Sequence, residues 1–163
     1  MRPSTTEEAI QTLNISKEVE IAAPIDVAFD ALLEELGPAS AMPGGEPLPM
    51  ILEAWPGGRW YRDLGKNSGH YWGHVQVIKP PTLLEIYGPL FMSYPAVSHV
   101  QYRLTAEGPM TRLTLTHRAI GQISPSHRDG VGQGWAQILT RIRERAERRG
   151  DFSRRSRPRE ERD

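Results

Sequence analysis

The sequence predicts an α+β domain in which one antiparallel sheet carries a long C-terminal helix across its apolar face. Three observations predict it. The run 111–117 alternates, with Leu113, Leu115 and His117 on one face and Arg112, Thr114 and Thr116 on the other. Val131, Trp135, Ile138, Leu139, Ile142 and Ala146 recur at the spacing of a helical stripe. Ahead of these lie a strand, a helix and further short alternating runs joined by turns, about six strands after the helix, the pattern of antiparallel neighbours. The single apolar face of such a sheet must be covered, and the first and last helices are the elements available. The result is a natural container.

Each element has a local reason. Residues 1–12 are expected to be a flexible arm, with nascent helix at 7–13. Ser16–Ile21 alternates as a first strand, and Pro24 opens a helix whose stripe is Ile25, Ala28, Phe29, Leu32 and Leu36, ending at Gly37-Pro38. Pro38, Pro43, Gly44, Gly45, Pro47 and Pro49 make 38–50 a loop with at most one helical turn. Leu52–Trp55 and Arg59–Leu64 flank the turn Pro56-Gly57-Gly58. Strands follow at 71–78, 83–87, 97–105 and 110–119. The last helix is expected to open near Gly132 and to run toward Arg148. The domain proper is then 13–148, and 149–163, rich in charge and without aliphatic residues, is expected to be a disordered tail.

Composition bounds the function. The 163 residues suit one domain, and a chain of about 150 residues buries roughly 70% of its unfolded surface. There is no cysteine, which removes disulfides, thiolate metal sites and a cysteine nucleophile. Twenty basic and twenty acidic residues give a formal net charge of zero, which argues against nucleic acid as a partner. No apolar run approaches the ~20 residues of a membrane span, and the first residues lack the apolar core of a signal peptide. A cytoplasmic protein that binds neither nucleic acid nor membrane is the expectation.

Several short segments carry a resemblance: Ala22-Ala23-Pro24; Pro56-Gly57-Gly58-Arg59-Trp60; Gly73-His74-Val75-Gln76-Val77-Ile78-Lys79-Pro80-Pro81; residues 111–117; and Gly134-Trp135. In order and spacing the chain resembles the START-like (SRPBCC, helix-grip) superfamily, in the branch related to the activator of heat shock protein 90 ATPase. The resemblance implies a curved sheet of about seven strands (β-α-β6-α) wrapped around the C-terminal helix, with a cavity between them. It implies little about activity, because members include lipid carriers, hormone receptors, aromatic cyclases and co-chaperone domains. The chain departs from the pattern in two places. The proline-rich segment 38–50 replaces a short second helix, and Gly88 stands where an aromatic residue often ends the fifth strand.

Strict alternation gives the expected cavity face, with Trp60, Arg62, Tyr71, Ile86, Tyr102, Leu115, His117 and Trp135 as its ligand-facing members. Phe91 and Tyr94 join them from the apolar loop 89–96, which could gate the cavity, bury in the core or form a homodimer contact. His117 is the candidate catalytic base, weighed against a structural histidine bonded to a backbone carbonyl or a helix residue. Arg62 is a candidate for a ligand carboxylate or phosphate, weighed against an arginine reaching solvent. His70 and His74 lie roughly 13 Å apart along a strand, too far to share one ion, and no metal or cofactor is expected. No nucleophile elbow, phosphate loop or dinucleotide fingerprint is present. The expected function is non-catalytic binding of a hydrophobic or amphipathic small molecule. The alternatives are a cyclase- or hydrolase-type enzyme using His117 with Tyr102 or Arg62, and a co-chaperone or stress-response interaction domain.

Overall fold

The computed structural model describes residues 9–91 and 95–155, the side chains of 152–155 excepted. Strand β1 (Gln11–Ile21) leads into helix α1 (Ile25–Leu36), followed by β2 (Ile51–Leu52), β3 (Arg59–Gly65), β4 (Ser68–Lys79), β5 (Leu83–Gly88), β6 (Ala96–Glu107), β7 (Met110–Gly121) and helix α2 (Pro125–Arg155). The strands form one antiparallel seven-stranded sheet in the order β1-β7-β6-β5-β4-β3-β2. Both helices lie on its apolar face, in the expected helix-grip arrangement.

Three element boundaries differ from the sequence reading. β1 begins at Gln11, where nascent helix was expected, because all eleven of its residues pair with β7 from Gly121 back to Thr111. α2 begins at Pro125 rather than near Gly132. Ser124 Oγ accepts a hydrogen bond from His127 N (3.3 Å), and proline is at home in a first helical turn, so Ser124-Pro125 is a start signal upstream of the apolar stripe. α2 also continues past Arg148 to Arg155. Gly150 is buried near Ala23, and Arg149 pairs with Glu34 of α1, so the helix keeps partners beyond its last aliphatic residue.

The core is closed to solvent where α2 crosses β6 and β7, with Trp135 against Tyr102 and His117. Leu84, Ile86, Val100, Tyr102, Leu113, Leu115 and Ile142 are all sealed from solvent there. Sheet and helix are in direct contact at that crossing. Toward β3 and β4 they diverge, and the proline-rich segment fills part of the gap. It is held by Leu48 N to Ser40 O (2.8 Å), Met50 N to Gly37 O (3.0 Å) and the bridge between Ala41 and Pro47. Leu48 and Met50 are buried beneath it. Among the described residues, no helix is long and apolar enough to cross a membrane.

Candidate functional site

At this divergent flank lies a cavity of about 580 Å³. Its walls come from the end of α1 (Glu35, Leu36), the loop 40–48, β3 and β4 (Trp60, Arg62, His70, Trp72), Phe91, and α2 from Ser126 to Arg141. Aromatic rings dominate the inner surface. Trp60 and Trp72 meet edge to face with centroids 5.0 Å apart, Trp72 and Phe91 at 5.8 Å, and Phe91 and Trp135 at 6.4 Å. His127, whose pKa is lowered by burial, stacks on Phe91 at 5.1 Å. Trp60 is fixed by its indole N–H, which donates to the carbonyl of Leu36 (2.7 Å) at the end of α1. Exposed Met42, Pro43 and His70 form the mouth, with half-buried Arg62 paired across the strands from His70.

A β-bulge decides which β4 side chains reach this cavity. Trp60 pairs with Gly73 and Tyr61 with Tyr71, so one step on β3 matches two on β4, and Trp72 is the extra residue. One extra residue reverses the facing of every side chain beyond it. Trp72 and His70 therefore turn inward and Tyr71 turns outward. Tyr71, expected in the cavity, instead lies 43% exposed on the outer face, hydrogen bonded to Nδ1 of His74. His70 and His74 sit on opposite faces. The bulge is accommodated by two glycines: a Cβ on Gly73 would lie 2.6 Å from Tyr87 O, and one on Gly88 would lie 2.5 Å from Gly73 Cα. This close approach explains why Gly88 ends β5 in place of a bulky ring, and it lets Leu90 N donate to Trp72 O (2.8 Å). Leu90 and Phe91 of the apolar loop accordingly turn into the core and the cavity. Met92 and Tyr94, the latter expected in the cavity, lie outside the described residues.

Of the remaining expected members, Trp60, Arg62, Phe91 and Trp135 line the cavity. Ile86, Tyr102, Leu115 and His117 do not. They point inward as alternation requires but are sealed in the core, where Trp135 of α2 lies against Tyr102 and His117. His117 is fully enclosed. The indole N–H of Trp135 donates to its Nδ1 (2.9 Å), so the neutral ring carries its proton on Nε2, 3.0 Å from Ser98 Oγ. Burial, with the neighbouring His127 charge, holds its pKa down to about 4. Trp135 contributes to the cavity wall, whereas His117 is buried and bonded to it. The histidine is thus bonded to a helix residue, the arrangement that was weighed against a catalytic base.

The sequence reading missed a second polar group at the cavity. Glu35 is only 4% exposed. Its Oε1 accepts from Arg145 Nε (3.0 Å) and Nη2 (2.8 Å), while Oε2 lies 3.4 Å from Arg141 Nε. Arg141 Nη2 donates to Ala41 O (3.1 Å), tying the loop to α2. Arg149 and Arg145 reach Glu34 in turn. The signal was present: Glu35 falls on the inward stripe with Leu32 and Leu36, and Arg141, Arg145 and Arg149 repeat every fourth residue. Buried carboxylates need such partners.

Residues 22–147 match the family model described as activator of Hsp90 ATPase homolog 1-like protein. The chain belongs to this family. Solved structures agree on the fold. A protein from Chromobacterium violaceum superposes with a TM-score of 0.66 at 16% identity, over 82% of this chain and 96% of the other. A protein from Rhizobium leguminosarum gives 0.65 at 18% identity, over 86% and 97%. An aromatase/cyclase from Streptomyces sp. R1128 gives 0.60 at 20% identity, over 85% and 96%. No curated protein matches the sequence. The packed proline-rich loop supplies Ser40–Pro43 and Leu48 to the cavity wall.

Proposed function

We propose that this domain holds a hydrophobic or amphipathic small molecule in the cavity beside β3 and β4, without transforming it. One observation carries the reading: a cavity of about 580 Å³ walled by Trp60, Trp72, Phe91 and Trp135, within the range of roughly 300–1,000 Å³ for small-molecule sites. Arg62 supports an amphipathic ligand. Its guanidinium has no hydrogen-bond or ion-pair partner among the described residues and stands at the mouth, where a ligand carboxylate or phosphate would neutralise it. An enzymatic alternative draws on the aromatase/cyclase neighbour. It loses its proposed base, because His117 is buried behind the cavity wall. The co-chaperone alternative draws on the family description alone.

Three of the four tryptophans line the cavity and the fourth, Trp55, is 57% exposed, so tryptophan emission reports occupancy. Titration with 2-naphthoate should quench that emission saturably at one equivalent per chain. Arg62→Met should weaken the binding about tenfold, the scale of one charge-assisted hydrogen bond. Unsaturable quenching, together with an empty cavity by native mass spectrometry after gentle purification, would refute the reading.

A further inference from the structure

Arg62 and His70 are paired across β3 and β4, and both line the cavity at its mouth. Directly opposed residues on one face of an antiparallel pair have Cβ atoms about 5 Å apart. Both side chains are basic, and neither the guanidinium nor the imidazole has a hydrogen-bond or ion-pair partner among the described residues. No acid among those residues answers them. Asp63, next on β3, alternates to the other face, and its Oδ1 accepts from Gly65 N (2.8 Å). Glu35, the one carboxylate among the described residues lining the cavity, is held by Arg145 and Arg141. Two opposed basic groups without an acid mark a place for an anion.

We propose that Arg62 and His70 together hold the head group of a phosphate monoester whose apolar part enters the aromatic cavity. The proposal rests on the reading that the cavity holds a small molecule, and it names the head group. Donor count selects the phosphate. A guanidinium edge presents two parallel N–H groups, and a carboxylate meets them with both its oxygens. A carboxylate so engaged turns no further oxygen toward His70. A phosphate monoester carries three terminal oxygens and about two negative charges at neutral pH. Two of its oxygens can take the guanidinium edge. The third is left for an imidazole N–H, which a histidine offers whether neutral or charged. The ester oxygen then carries the organic group inward. Trp60 and Trp72, each two residues from Arg62 and His70 along the same strands, wall the cavity on that side.

Equilibrium dialysis with 2-naphthyl phosphate, 2-naphthoate and inorganic phosphate separates the head group from the ring. 2-Naphthyl phosphate should bind about tenfold or more tightly than 2-naphthoate, the scale of one added charge-assisted hydrogen bond. Inorganic phosphate should bind far more weakly than the ester. His70→Ala should bring the two naphthyl affinities together and leave that of 2-naphthoate unchanged, whereas Arg62→Met should weaken both. His70 is exposed, so its truncation leaves the core intact. Equal binding of the ester and 2-naphthoate to the wild type overturns the phosphate site and leaves the container standing. A preference for the ester that survives His70→Ala overturns the role of His70. Inorganic phosphate binding as tightly as the ester overturns entry of the organic group into the cavity. Binding of neither naphthyl compound overturns both this proposal and the reading beneath it.

Discussion

His117 shows what one residue can and cannot disclose in advance. Alternation along 111–117 places its side chain inward, and so it is. Its role depends on Trp135, eighteen residues later on another element, whose indole N–H fixes the tautomer. No local pattern encodes that pairing. Burial, with the neighbouring His127 charge, makes the native state refuse the proton down to about pH 4, while an unfolded histidine titrates near ~6.5. Between those values the unfolded chain binds more protons, and stability falls as the pH drops. The stability contribution is whole above about pH 6.5 and lost by about pH 4, roughly 3 kcal/mol across the window. Thermal melts from pH 7.5 to 4 should therefore show a steeper acid decline for the wild type than for His117→Gln. Parallel declines would mean that other groups set the acid limb.

At the scale of elements, β4 separates what local period can reveal from what it conceals. Its existence was legible, because 71–78 alternates. Its facing was not, because the bulge at Trp72 restores an apparently unbroken pattern, with Tyr71, Gly73 and Val75 in phase, while reversing the strand beyond it. Gly73 was the available hint, since a glycine inside a strand marks a bulge or a close backbone approach. The cavity depends on this defect, because without it Tyr71 would point inward and Trp72 and His70 outward. The α2 start was likewise written in Ser124-Pro125, but the weaker cap was overshadowed by the later apolar stripe. Gly73→Ala should place a methyl 2.6 Å from Tyr87 O and cost about 1–3 kcal/mol, the scale of overpacking. Because the strain falls on the bulge, 2-naphthoate affinity should drop along with the melting temperature. A variant of unchanged stability would show that β4 and β5 can separate freely, contrary to the close Gly73–Gly88 approach.

At the scale of the molecule, the question is why space remains at all beside a well-packed core. Strand order and the covering helices were legible because each arises from local period, and the family pattern fixed their arrangement. The cavity was misplaced toward the middle of the sheet because its walls are drawn from residues 35 to 141 and meet only after folding. Part of its wall is defined by side chains that are missing. Gly130 and Gly134 lie one turn apart on α2, both line the cavity, and a Cβ on either would meet nothing within 4 Å. Each glycine costs about 1 kcal/mol relative to alanine inside a helix, with no close contact to require it. Stability is thus given up where the space lies, as expected if the space is used. Gly134→Leu should raise stability by about 1 kcal/mol or more, through helix propensity and cavity filling, and should weaken 2-naphthoate binding at least about tenfold. A Gly134→Leu protein that melts higher and still binds 2-naphthoate at full strength would move the ligand away from this cavity. One that melts lower would show that α2 needs the glycine for its own packing.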